Sequence, residues 1–452
     1  MDGIDTADTA VVGAGPTGLY LAIALARRGH RVVVVDRDSG PGPDGGWQRR
    51  GVMQFHQPHA FRGQVVRALQ AEVPDVWDAL LAAGADPARM DPEGPVVGLR
   101  CRRLTYERVL RGAAVAEPGV TFAFGHADEV VAEGGRAVGV RVDGEVVGAD
   151  LVLDASGRAG RLTRTLRAPA EGGPCGAAYV SRQYVLRDGA RFGPLTMPIA
   201  AVAFYRGYGV IVFPHDNDVF STVIARADDD RVLARTREET AFDVVTAAVP
   251  LLAEWTAPER ARPISPVLPG GPQHNAYRGQ RDARGRISLP GLICVGDAVC
   301  TTNPSAGRGV ATSMMQAQRL LELLDSGLDP EACAAEFDDW CATQIRPWFV
   351  DHVEVDAAQA RRWAAEDGGE IDLSGPLTSD VIAAAAAADR SLMPVVGPYL
   401  GMQALPETLR AVEPRAREIY ETGWRPPVPD GPTRDELAEL VERVSHTDAR
   451  SA

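Results

Sequence analysis

Two glycine-rich turns carry the residues best placed to do chemistry. The first is Gly13-Ala14-Gly15-Pro16-Thr17-Gly18. It fits G-x-G-x-x-G, with an apolar strand before it and a helical run after it. In such a turn Gly13 permits the tight bend, Gly15 lets a pyrophosphate approach the backbone, and Gly18 lets helix and strand pack closely. The N–H groups at the helix start, around Pro16 and Thr17, can then bind phosphate oxygens. Asp36 closes the next strand, at the spacing that reaches a ribose hydroxyl. These residues point to a dinucleotide. The second turn is Gly296-Asp297-Ala298, continuing as Asn303-Pro304-Ser305-Ala306-Gly307-Arg308-Gly309. A carboxylate at the end of a buried strand can meet a ribityl hydroxyl. Gly307 and Gly309 open a long helix whose positive end can face the pyrimidine edge of a flavin and stabilise its anionic reduced form. The pair of turns favours FAD over NAD.

Other candidates are less specific. His56 and His59, in Gln54-Phe55-His56-Gln57-Pro58-His59, have two readings: base or hydrogen-bond donor beside a ring, or structural support. Tyr179, Arg182 and Tyr184 either line a substrate face or alternate along a strand. The chain has no lysine, so all 47 basic residues are arginine, and any mechanism needing a lysine is excluded. The six cysteines form no C-x-x-C pair and have no zinc-spaced histidines, so no metal site is expected. The formal net charge of −14 leaves no footprint for nucleic acid. No apolar run reaches membrane-spanning length, and no signal-peptide pattern is present. A cytoplasmic protein is the expectation.

The elements that must position these residues follow from the pattern. Thr9 to Val12, a helix from about Gly18 to Arg28, and Arg31 to Asp36 form a βαβ unit. The four consecutive valines suit a strand buried on both faces. Helices are expected at Phe61 to Leu69, Val76 to Ala83 and Arg237 to Trp255. Short strands fill Val120 to Leu153, the last being Asp150 to Leu153. Antiparallel strands fill Ala177 to Ala227, with His215-Asp216-Asn217-Asp218 as a turn. Leu292 to Val295 is a buried strand, and Gly309 to Asp325 a long helix. More helices follow at Pro330 to Trp363, Asp380 to Arg390 and Thr433 to Val444. The fold class is α/β: a Rossmann-type, glutathione-reductase-like FAD-binding domain, a second α+β substrate domain and C-terminal helices. The FAD-binding domain is expected in three pieces, 1–75, 100–170 and 280–330. The substrate domain takes 76–99 and 171–279, and a helical region takes 331–452.

The paired motifs resemble the p-hydroxybenzoate hydroxylase class of FAD monooxygenases. Within it they are most similar to the squalene-epoxidase and bacterial polyether-epoxidase branch. Arg49-Arg50-Gly51-Val52-Met53-Gln54, with His59 following, resembles that branch's R-x-G-V-P-Q…H. In Cys101-Arg102-Arg103, the resemblance makes Arg103 a contact of the FAD pyrophosphate. Asp154-Ala155-Ser156-Gly157-Arg158 stands where the class has Asp-Gly, with alanine in place of glycine. The resemblance also extends the cofactor contacts to Arg37, Arg49, Arg50, Val130, Ala155, Ser156, Gly157, Gly296, Arg308 and Val310, and puts Pro304 against the flavin. It covers about residues 7 to 330.

The resemblance implies non-covalent FAD, reduced by NAD(P)H directly or through a flavin reductase. O2 would then give a flavin C4a-hydroperoxide that hydroxylates or epoxidises a hydrophobic or aromatic small molecule of secondary metabolism. Alternatives are a reductase of the geranylgeranyl-reductase type and a non-catalytic flavoprotein. A flavin halogenase is disfavoured, because those enzymes resemble one another in a W-x-W-x-I-P segment and a lysine, both missing here.

Overall fold

The computed structural model describes residues 7–49, 51–59, 61–365 and 370–451. Arg50, one of the expected cofactor contacts, lies outside them. The strands Val120–Phe124, Val32–Asp36, Ala7–Val12, Glu145–Asp154 and Leu292–Cys294 lie side by side, all parallel. Val32, Val33, Val34 and Val35 are buried, as a central parallel strand covered on both faces requires. One face carries helices Pro16–Arg27 and Gly309–Asp325 in the largest core. The other packs under an antiparallel ribbon of Ala127–Glu133 and Arg136–Val142.

Two glycines of the first turn have no substitute. Gly13 has φ +107°, and a Cβ there would sit 2.5 Å from the Ala155 carbonyl oxygen. A Cβ on Gly18 would lie 1.9 Å from the Gly13 carbonyl oxygen. The close helix–strand contact therefore depends on hydrogen at both positions. Around Gly15 a Cβ would meet nothing within 4 Å, because that position opens into a cleft.

A second sheet is antiparallel, in the order Ala201–Tyr205, Tyr208–Pro214, Val219–Ala227, Glu171–Leu186, Leu268–Tyr277, Cys300–Thr301. Its far face packs on helices Glu239–Ala248 and Pro250–Thr256 around Phe220 and Trp255. The stretch expected as one helix to Trp255 is thus two, divided at Val249-Pro250, where proline lacks the N–H a continuing helix would use.

Segments 76–99 and 331–452 each divide between layers. Helix Pro74–Ala82 joins the large core, with Val76, Trp77 and Leu80 buried there. Strands Asp86–Arg89 and Val96–Arg100 form a small sheet with Phe61–Arg62. Helices Pro330–Gln344 and Arg346–Ala364 also join the large core. The last helix, Arg434–Ser451, instead buries Leu437 and Val441 against the antiparallel sheet's helices. No helix among the described residues is long and apolar enough to cross a membrane. Among them too, no group of His, Cys, Asp or Glu could hold a metal ion.

Candidate functional site

The C-terminal ends of the parallel strands open into one cleft of ≈ 720 Å³. That lies within the ~300–1,000 Å³ of small-molecule and cofactor sites. The cleft runs from Gly125-His126-Ala127-Asp128 and Asp36, past the first glycine turn and Asp297, to the antiparallel sheet at Phe213 and Gln273.

Helix N-termini open into it at two places. The helix Pro16–Arg27 begins at Gly15 with no side-chain cap, and Gly15, Pro16 and Thr17 line the cleft. The helix Gly309–Asp325 begins at Arg308, also uncapped, and Gly307, Gly309 and Val310 line the cleft. Uncapped N–H groups with the dipole behind them suit anionic ligand groups.

Between them stands a network of charges. Asp36 accepts from Ala14 N at 2.6 Å, from Arg49 Nη2 at 2.8 Å and from Asp38 N at 2.8 Å. Arg49 is also paired with Asp38 and with Glu107. Glu107 is fully buried and binds Arg103 through its other oxygen. Arg49 is thus spent on three carboxylates. Arg103 keeps a terminal nitrogen facing the cleft, 3.5 Å from His59 Nε2.

His59 Nδ1 lies 2.9 Å from the Gln57 carbonyl oxygen, to which it donates, leaving Nε2 as an acceptor toward Arg103. Burial, with Arg103 adding to it, pushes the His59 pKa down to about 3. The ring is neutral at physiological pH and a poor base. His56 does not reach the cleft; its carbonyl accepts from Gln183 Nε2 and its ring packs edge-on to Phe55.

Asp297 lines the cleft, open to it on one side and walled by protein on the others. Only its backbone carbonyl is engaged, by Thr301 Oγ1 at 3.0 Å. Burial pushes its carboxyl up from the usual range, against the pull of Arg103 and Arg158. A carboxylate exposed to the cleft and met by no side-chain donor among the described residues fits a ligand rich in hydroxyl groups.

Several expected contacts do other work. Val130 packs in the valine core under the parallel sheet; the cleft takes Ala127 and Asp128 of that strand instead. Arg308 turns away from the cleft, buried between Trp348 and Tyr399 and paired with Asp351. Gly18 and Gly296 serve packing: a Cβ on Gly296 would lie 3.1 Å from Thr17 Oγ1. Arg37, Arg103, Ala155, Ser156, Gly157 and Pro304 all line the cleft. Asp154 is consumed internally, accepting from Ser156 N at 3.0 Å and Thr163 Oγ1 at 2.7 Å.

Some residues escaped sequence reasoning. His126, Asp128, Arg161, Thr301, Thr302, Gln273 and Ser313 also line the cleft. None belongs to a motif, and they meet only through the fold. Asp216, read as part of a turn, is buried and accepts from Arg102 N at 2.6 Å and Thr105 Oγ1 at 2.8 Å. It anchors the start of helix Arg103–Ala116, which carries Arg103 to the cleft.

A nucleotide turn on a parallel sheet, a late carboxylate-and-helix turn and an antiparallel sheet over the far end define a flavoprotein of the p-hydroxybenzoate hydroxylase class. The chain belongs to the family described as FAD binding domain, which matches residues 6–340. Protein Rv3254 of Mycobacterium tuberculosis is 28% identical in an alignment 245 residues long that covers 48% of this chain and 48% of that protein. The match therefore spans about half the length of that relative. The flavin-dependent brominase Bmp2 has a similar fold, with TM-score 0.63 and 16% identity over 93% of this chain and 100% of that one. PqsL of Pseudomonas aeruginosa, a probable FAD-dependent monooxygenase, gives TM-score 0.57 and 17% identity over 80% of this chain and 98% of that one.

Proposed function

We propose that this protein is an FAD-dependent monooxygenase that uses NAD(P)H and O2 to hydroxylate or epoxidise a hydrophobic small molecule. The observation that carries the reading is the continuity of one cleft from the nucleotide turn to the antiparallel sheet. Asp36 would hold the adenosine ribose, and the N–H groups at Thr17 together with Arg103 would meet the pyrophosphate. Asp297 would accept from the ribityl chain. The open start of helix Gly309–Asp325 would face the flavin ring. The chemistry FAD would supply there is passage of two electrons from NAD(P)H to O2, with one oxygen atom going to the substrate and the other leaving as water.

The residues at the far end bind and orient. Phe213, Met53 and Pro304 give apolar wall. Gln54 Oε1 is taken by Tyr179 OH at 3.1 Å, leaving its amide N–H groups. Gln273 Nε2 is taken by the Gly270 and Gly271 carbonyls, leaving its oxygen. The Thr302 hydroxyl is buried without a partner. This end offers donors and an acceptor but, among the described residues, no strong base, because His59 has lost most of its proton affinity. It suits an alkene or an already electron-rich ring better than a phenol that must first lose its proton. Halogenation that relies on a lysine has no residue to use, since the chain contains none.

The test is NAD(P)H oxidation with candidate substrates under 18O2. Stimulated oxidation with one 18O atom in the product supports the proposal. Oxidation that proceeds without O2 and saturates a double bond would replace it with a reductase.

A further inference from the structure

The turn Asn303–Arg308 meets the cleft through Pro304 and Gly307, yet nearly everything that fixes it comes from behind. Asn303 donates its side-chain N–H to Asp356 Oδ1 at 2.9 Å. Asp356 Oδ2 accepts from Asn275 Nδ2 at 2.7 Å. Asn275 Oδ1 in turn accepts from Asn303 N at 2.7 Å. Three buried residues thus close a ring of hydrogen bonds on the first residue of the turn. At the other end Arg308 Nη1 is paired with Asp351 at 2.5 Å. Its Nη2 lies 2.7 Å from the Tyr399 hydroxyl. Between the two, the Ala306 carbonyl accepts from Arg62 Nε at 3.1 Å. Asp351 and Asp356 both belong to helix Arg346–Ala364, which contributes no residue to the cleft wall.

We propose that Asp356 is a positioning residue for the cofactor: from a helix outside the cleft it latches Asn303, with Asp351 holding Arg308, and so sets the turn that the flavin meets. The groups hydrogen-bonded to Asp356 are all donors, two amide N–H groups and the Cys175 thiol, while the Asp351 carboxylate acts on it only through its charge. The site needs a pure acceptor, which a carboxylate is and an amide is not. Asp356→Asn keeps the shape, yet turns an NH2 toward one of the two asparagine NH2 groups. The latch therefore opens with little change in helix packing.

The proposal rests on FAD occupying the cleft, so the test has an arm that does not need FAD. The chain lacks lysine, so trypsin cuts only after arginine, and cleavage after the buried Arg308 reports the latch in protein stripped of cofactor. Asp356→Asn is expected to raise that cleavage rate roughly tenfold and to weaken FAD binding about ten- to hundredfold, as loss of a hydrogen bond to a charged group would. The double variant Asn303→Asp/Asp356→Asn reverses the direction of the pair. It preserves the bonds to Asn275 Nδ2 and Ser305 N, and is expected to recover both readouts. A role in helix packing alone would not be rescued from position 303. The proposal is overturned if Asp356→Asn matches the parent in both readouts, or if the double variant is as impaired as the single. Faster cleavage with unchanged FAD affinity also overturns it, by removing the turn from cofactor binding. A parent that takes up no FAD, but is protected after Arg308 until Asp356 is changed, would instead sink the flavin assignment.

Discussion

Asp297→Asn should move two properties in opposite directions. In the protein without cofactor, Asp297 is exposed to the cleft, the protein around it holds its carboxyl above the usual pKa, and no donor among the described residues compensates it. A carboxyl with a raised folded pKa binds its proton more tightly in the folded chain. Its ionisation therefore costs stability as pH rises from the unfolded value through the folded one. The amide removes that cost, so the cofactor-free variant should unfold at an equal or higher temperature than the parent at pH 7. The difference should shrink as pH falls through about 4 and be lost well below it, where both states carry the proton. FAD binding should weaken, because the carboxylate is the acceptor offered to the ribityl hydroxyls. A hydrogen bond to a charged group is worth about 1.5–3 kcal/mol, or about 10- to 150-fold in Kd. Fluorescence titration of stripped protein with FAD gives the affinity, and calorimetry on the same sample gives the unfolding temperature. Unchanged Kd with a lower unfolding temperature would make Asp297 a support of its own loop and refute the assignment.

Three further outcomes are expected. Arg103→Ala should raise the Kd for FAD by about tenfold or more through loss of a charge-assisted phosphate contact, measured by the same titration; an unchanged Kd would remove Arg103 from the cofactor site. Glu107→Gln leaves Arg49 and Arg103 sharing a neutral partner in a buried position. It should cost about 3 kcal/mol or more in urea unfolding; a loss below about 1 kcal/mol would mean Asp36 and Asp38 suffice for Arg49. His59, with its pKa depressed to about 3, contributes stability that is present above pH 6.5 and lost as pH falls toward 3, because the unfolded chain takes up the proton first. His59→Gln should therefore hold its unfolding temperature further into acid than the parent, and should leave the pH profile of activity between 6 and 8 unchanged in shape. A profile limb lost in that variant would restore His59 as a base.

Local pattern made the nucleotide half legible. Four valines and a glycine turn specify a strand, a bend and a helix within thirty residues, and the helix from Gly309 to Asp325 has its starting glycine in sequence. The long pairings carry no such mark. Glu145–Asp154 runs antiparallel to its neighbour at its start and parallel to two others at its end; only that end, from Asp150, stood out by hydrophobicity. The same limit applies to the site. Asp297 was visible because it ends a strand beside a glycine turn. The direction of Arg308 was not, because Asp351, Trp348 and Tyr399 reach it from forty to ninety residues away. The neutrality of His59 comes from burial that only the assembled fold creates. Asp216 looked like turn polarity, since nothing in sequence ties it to Arg102.

The strand Leu292–Cys294 completes the parallel sheet next to Glu145–Asp154, with every strand of the antiparallel sheet except Cys300–Thr301 encoded between them. On the ribosome, the nucleotide fingerprint emerges first and then waits. Its sheet keeps an open, apolar edge until more than a hundred further residues have been made, and Asp297 and the helix at Gly309 arrive later still. Cofactor loading is therefore a late event in the life of each chain, and it is Leu292–Cys294, not the cofactor, that closes the exposed strand edge of the new polypeptide. Truncation before Leu292 should therefore yield aggregate, whereas full-length chains made in riboflavin-limited cells should fold and take up FAD when it is supplied.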